Sequence, residues 1–124
     1  MEAAMRVVLV EDHRLLRECL VRVLCETDGI TVVGSCQDGE TAIDVVLRER
    51  PDVVVMDVRL PGVDGIEATR RILRAWPQAR VLVHTSDPHA EQARAAISTG
   101  AVGVVGKSTD SDRLVQVLRR VAAA

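Results

Sequence analysis

The sequence predicts an α/β domain built on a doubly wound parallel sheet, and three observations carry that prediction. Short β-branched runs alternate five times with apolar patterns of helical spacing. The runs lack polar alternation, as do strands covered on both faces. The connections are short and carry Pro, Gly or Asp. Five βα units joined in this way imply right-handed crossovers with helices on both faces of the sheet. The common arrangement at this size is the flavodoxin-like strand order 2-1-3-4-5, with its switch point between strands 1 and 3.

The bounds agree. A chain of 124 residues is one domain, large enough to bury a core without disulfides or a structural metal. The apolar share of 48% and charged share of 27% are those of a soluble globular protein. Sixteen basic against 18 acidic residues leave no electrostatic footprint for nucleic acid. No apolar run approaches a membrane span and no signal segment opens the chain. Cys19, Cys25 and Cys36 are odd in number and lie in apolar patterns, reading as reduced residues of a cytoplasmic protein.

The first strand spans Met5 to Val10 and ends in Glu11-Asp12. A helix from about His13 to Glu26 follows, with Leu16, Cys19, Leu20, Val23 and Leu24 along one face. Ile30 to Ser35 is the second strand. Asp38-Gly39 introduces a helix that faces Ala42, Ile43, Val46 and Leu47 inward and stops at Pro51. The central strand runs through Val53, Val54, Val55 and Met56 to Asp57, and Leu60-Pro61-Gly62 breaks the chain. Asp64 caps a helix from Ile66 to Ala75, closed by Trp76-Pro77. Ala79 to Thr85 is the fourth strand, Pro88 to Ser98 the next helix, and Gly100 its C-cap. Ala101 to Val105 is the fifth strand. Asp110 to Ala122 is the last helix, its core face made by Leu114, Val117, Leu118 and Val121.

In open parallel sheets ligands bind beyond the carboxyl ends of the strands. The predicted order brings together the ends of strands 1, 3, 4 and 5, which carry Glu11-Asp12, Asp57, Thr85-Ser86 and Lys107. Each pair of carboxylates about 4 Å apart costs ~1 kcal/mol in water and ~4 kcal/mol at the effective dielectric of a protein surface. Such a set calls for a counter-charge, and an oxygen-only site of this kind suits Mg²⁺. Lys107 adds an ammonium and Thr85 a hydroxyl. A nucleophile, a metal, a cation and a donor are the parts of phosphoryl transfer onto a carboxylate. Singly, each residue has a plainer role: Glu11-Asp12 as a helix cap, Asp57 as a strand terminator, Thr85 and Lys107 as ordinary strand-end residues. Arg59, His13 and His89 read as surface, and His84, at the parity opposite Thr85, as a buried neutral imidazole.

Four segments, VLVEDH at 8–13, VVMDVRLPGVDG at 54–65, VLVHTSD at 81–87 and GVVGK at 103–107, together resemble a receiver domain of two-component response regulators. The resemblance covers residues 1–124, and Glu-Asp-His with Lys107-Ser108 most resembles the NarL/FixJ (LuxR-type) subfamily. It implies a CheY-like fold with Asp57 as phospho-acceptor. Asp12, Asp57 and the main-chain carbonyl of Arg59 would bind Mg²⁺, Glu11 would act through water, and Thr85 and Lys107 would engage the phosphoryl group. It further implies a sensor histidine kinase as donor and a DNA-binding helix-turn-helix domain beyond Ala124 as output. Receivers of this family often rotate an aromatic residue on strand five when phosphorylated. The matching position is Val104, and the chain has no Phe or Tyr.

Two rivals belong to other classes. AVGVVGKS at 101–108 is one residue from the phosphate-binding pattern G-x-x-x-x-G-K-[ST]. That mechanism needs the loop to follow a strand, whereas here Ala101 to Val105 is itself the predicted strand. A degenerate receiver acting only as a protein-interaction module is the other. Self-association, as a homodimer, is expected to use Val115 and Ala122 on the last helix with Val21 and Cys25 on the first.

Overall fold

The computed structural model describes residues 4–124. The strands are β1 (Met5–Val10), β2 (Ile30–Cys36), β3 (Val53–Asp57), β4 (Val81–Thr85) and β5 (Gly103–Gly106). They alternate with α1 (Arg14–Cys25), α2 (Gly39–Glu49), α3 (Gly65–Ala75), α4 (Glu91–Thr99) and α5 (Ser111–Ala123). All strand pairs are parallel and the order is β2-β1-β3-β4-β5, as the alternation predicts.

Strand parity divides the core. Val7, Leu9, Val53, Val55, Leu82 and Val105 face α1 and α5, where they meet Leu20, Leu24, Leu114 and Leu118. The alternate residues Val8, Val10, Val54, Met56 and Val81 face α2 and α3, against Ala42, Val46, Ala68 and Ile72. Val83 joins Val58, Ala96 and Ala101 beneath α4. Because β3 is covered on both sides, every one of its residues is buried, including Asp57.

Local hydrogen bonds move several boundaries. The amide of Gly100, at φ 123°, bonds back to Ala96 and Ile97, and the amide of Ala101 bonds to Ala96 as well. The α4 cap thus consumes the residues expected to open β5, which starts at Gly103. Pro88 to Ala90 form a turn held by Ala90 N–H on the Asp87 carbonyl, so α4 starts at Glu91. Ala79 bonds back to Trp76 in a turn, so β4 begins at Val81, while β2 runs on to Cys36, whose carbonyl takes the Glu11 amide. Arg50 caps α2 in the left-handed region at φ 46°, its guanidinium 5.3 Å from the Trp76 ring centre.

Four side-chain assignments need correction. Val115 is buried in the core with Leu114 and Leu118, not free for a partner, and Val21 and Ala122 pack against the same cluster. Val115, Leu118 and Ala122 form a second stripe at i, i+3, i+7 beside the one read from Leu114. Cys19 is exposed, since Leu20 and Leu24 take the buried face of α1. Of the surface proposed for self-association, only Cys25 is exposed.

Candidate metal and phosphoryl site

The strand ends deliver the predicted cluster. Register sets Met56 beside Val10 and His84 beside Asp57, so the residues just past β1 and at the end of β3 meet at one edge. Glu11, Asp12 and Asp57 each offer a carboxylate oxygen, and these oxygens lie within 4.8 Å of one another. Glu11 and Asp57 are buried, whereas Asp12 is exposed. Lys107 closes the group: its Nζ donates to Asp57 Oδ2 at 3.0 Å and lies 2.8 Å from Glu11 Oε1. The amide of Arg59 donates to Asp57 Oδ1 at 3.2 Å and that of His13 to Glu11 Oε2 at 3.0 Å.

One ammonium is shared by the two buried carboxylates, and their opposite shifts reflect it. Burial, with repulsion from Glu11, pushes Asp57 up to about 6 against the pull of Lys107. Burial acts on Glu11 in the same direction, but its contacts with Lys107 and the His13 amide outweigh it and hold that carboxyl below the ordinary value. Burial alone would lower Lys107, yet the two carboxylates keep it above its ordinary value. Three hard oxygen donors with two charges uncompensated fit a divalent cation such as Mg²⁺.

The remaining candidates sit around this centre. Thr85 ends β4 one residue beyond the partner of Asp57, and its hydroxyl accepts from the Asp87 amide at 3.3 Å. Its carbonyl takes the Lys107 amide at 2.7 Å, which ties the β5 end to the β4 end. Arg59 is exposed as expected, with its backbone at the site. Asp64 caps α3 through the Glu67 amide at 2.8 Å, and it also lines an open cleft of about 490 Å³ with Asp12, Arg59 and Gln92. Glu11, expected to act through water, is wholly buried and spends its charge on Lys107. Residues 101–108 form no anion cradle: Val104 to Gly106 lie within β5 and Lys107 points at Asp57.

Two contributors escaped the sequence reading. Arg17 donates to the Glu11 carbonyl at 2.8 Å, and Asp87 orients Thr85 through its backbone. The first could have been suspected from helical spacing, since Arg17 lies one turn after His13. The second is a backbone contact that no residue type announces.

His84 is buried as a neutral imidazole: burial, then the nearby Lys107, depress it from 6.5 to about 4. The unfolded chain therefore binds a proton that the folded one refuses, and the stabilising effect is lost as pH falls from 6.5 towards 4. This contribution should shrink by about 2 kcal/mol between pH 7 and 5. Asp57, raised in the fold, works in the opposite direction over the same range. The comparison is therefore urea unfolding of wild type against His84→Leu, without divalent cations, at both pH values. The variant should gain on wild type by that amount at pH 5, and a constant difference would show that His84 is solvated in the fold.

Comparison with known proteins agrees with this geometry. Residues 7–119 match the model of the response regulator receiver domain. The chain is 35% identical over 121 residues to the transcriptional regulatory protein DegU of Brevibacillus brevis, covering 98% of this chain and 51% of that protein. It is 37% identical over 121 residues to the response regulator GacA of Pseudomonas aeruginosa, covering 95% and 55%. The chain thus spans about half the length of these relatives. The signal receiver domain of NarL from Mycobacterium tuberculosis superposes with a TM-score of 0.92 at 30% identity, over 99% of both chains. A LuxR-family two-component response regulator from Aurantimonas superposes at 0.91 with 38% identity, over 98% of this chain and 86% of that one. A buried aspartate at the end of the central strand, its lysine and its acidic neighbours stand on the fold those proteins share, and the chain belongs to the receiver domains of two-component response regulators.

Proposed function

We propose that this receiver takes a phosphoryl group onto Asp57, with Mg²⁺ held by Asp12, Asp57 and the Arg59 carbonyl, and passes the change to an attached output domain. The observation that carries the reading is the Asp57 carboxylate, buried at the strand end yet bonded to Lys107 Nζ and to the Arg59 amide. A carboxylate raised to about 6 is ionised at neutral pH and more basic than a free one, which suits a nucleophile. Its oxygen attacks phosphorus, the bond from phosphorus to the donor breaks, and the donor leaves with that electron pair. When bound, Mg²⁺ would supply charge neutralisation. Lys107 is placed to exchange its bond with Asp57 for one to a phosphoryl oxygen. The Thr85 oxygen accepts from Asp87, which leaves its O–H free to donate.

The donor would be a sensor histidine kinase and the output a DNA-binding domain, consistent with relatives about twice this length, one of them named a transcriptional regulatory protein. The setting would be cytoplasmic. No described helix is long and apolar enough to cross a membrane. The test is incubation with acetyl phosphate, with and without Mg²⁺, followed by intact mass. One added phosphoryl group that chelation prevents is the expected result. No labelling under either condition would favour an interaction module that works without phosphorylation.

Val104 packs beside Val83, Ala96 and Ala101 where an aromatic switch would stand, and a β-branched side chain has few rotamers to exchange. The response is therefore expected in backbone: the 85–91 connection into α4 and the Val105-Gly106-Lys107 segment. Hydrogen exchange on phosphorylation should change most over residues 85–107. Thr85→Ala should still label at Asp57 but lose most of that change. Changes confined to residues 57–65 would contradict the account.

A further inference from the structure

Gly39 opens α2, which follows the edge strand β2, yet it is in close contact with the loop that serves the phosphoryl site. A Cβ built on Gly39 would lie 2.1 Å from the carbonyl oxygen of Val63 and 3.0 Å from its carbon. Val63 belongs to the 58–64 connection, which begins at the Arg59 backbone bonded to Asp57. Beside it in the loop, a Cβ built on Gly62, at φ 71°, would meet Glu40 Oε1 of α2 at 3.9 Å. The first turn of α2 therefore forms the wall against which this loop is set.

We propose that Gly39 is a positioning residue for metal binding: by admitting the Val63 carbonyl against α2, it fixes the loop that carries the Arg59 backbone. The inference rests on the proposed metal site and assigns it a further residue. What decides the role is which side yields when the space is filled. A Cβ essentially never approaches another heavy atom within 3.0 Å, so Gly39→Ala requires a shift of about 0.9 Å. The α2 side is anchored. Asp38 caps the helix through the Thr41 amide at 2.8 Å, and Ala42 and Val46 are fully buried against the sheet. The loop side is softer, because Arg59, Pro61, Gly62 and Asp64 are exposed and Val63 is half-buried, with Leu60 its one buried side chain past Val58. The displacement therefore falls first on this loop, where the metal ligand is carried, before it reaches the anchored helix.

The test is calorimetric titration of Mg²⁺ alone into metal-free protein, with thermal unfolding measured on the same samples. Gly39→Ala is expected to weaken Mg²⁺ binding about tenfold or more, since a displacement near 1 Å can cost up to a hundredfold at a positioned site. Val46→Ala removes buried packing about two turns further along the same helix and leaves the Gly39–Val63 contact in place. It should lower Tm yet leave Mg²⁺ affinity within about twofold of wild type. Val63→Gly, which frees the loop from its own side, should weaken Mg²⁺ binding several-fold and decides the matter if Gly39→Ala does not fold. A folded Gly39→Ala with wild-type affinity overturns the inference, and so does Val46→Ala losing as much as Gly39→Ala. Wild type that takes up no Mg²⁺ overturns the site itself and the inference with it, an outcome distinguished by the absence of heat in every sample.

Discussion

Asp57→Asn is expected to abolish Mg²⁺-dependent labelling by acetyl phosphate, by at least about a hundredfold, because the amide that replaces the carboxylate is no nucleophile. Loss of fold is not the reason. Asparagine keeps the volume of the side chain, and its oxygen still accepts from Lys107 or the Arg59 amide. Its charge is what disappears, and that charge is costly in the metal-free protein. Asp57 sits above its ordinary value through burial and the repulsion of Glu11, so the ionised form opposes folding above pH 6. Thermal unfolding at pH 7.5 without divalent cations should therefore show Asp57→Asn more stable than wild type. Asp64→Asn is the matched control. Asparagine caps a helix as well as aspartate does, and the Asp64 carboxylate is committed to the Glu67 amide, so labelling should persist. Phosphoryl transfer that survives Asp57→Asn, with peptide mass placing it elsewhere, would remove Asp57 from its role.

How much of this was legible in the chain depends on which kind of signal each feature leaves. The parallel sheet was legible because both faces of β3 are covered and the run Val53 to Met56 says so without alternation. Glu11, Asp12, Asp57 and Lys107 were legible because strand order alone brings their strand ends together. Helix starts were readable where a side chain makes the cap, as Asp38, Asp64 and Asp110 do. The start of α4 was not, because Ala90 offers no capping side chain and Pro88 is consumed in a turn. Val115 was misplaced because a helix packed both on the sheet and against α1 buries two adjoining stripes, and periodicity alone names only one. The burial of Glu11 against Lys107 was hidden for another reason: which of two neighbouring carboxylates turns inward is fixed by packing, not by spacing.

Gly65→Ala should cost the fold about 3–5 kcal/mol, a large part of the roughly 5–15 kcal/mol that holds a domain of this size together. Gly65 is the first residue of α3, and the space a methyl group would need is already filled by backbone. A Cβ there would stand 1.9 Å from the Asp57 carbonyl oxygen, and 2.8 Å from both the Asp57 carbonyl carbon and Val58 Cα. None of these atoms can swing aside. Asp57 and Val58 are buried, and β3 is paired on both edges by β1 and β4. The Gly65 amide is held by the Val58 carbonyl at 2.8 Å, and the Gly65 carbonyl takes the Thr69 hydroxyl at 2.7 Å. Relief can come only by lifting the first turn of α3 off the sheet, which breaks those bonds and loosens Ala68 and Ile72 in the core. This is the opposite of Gly39, whose neighbour Val63 is half-buried in a loop with exposed residues on either side of it that can yield. The two alanine substitutions should therefore separate: Gly65→Ala lowers Tm by about 10–20 °C, while Gly39→Ala acts chiefly on Mg²⁺ binding. Circular dichroism melts of both variants, run side by side, check this. A Gly65→Ala protein that melts within a few degrees of wild type would mean that α3 is not set against β3 as closely as these distances require.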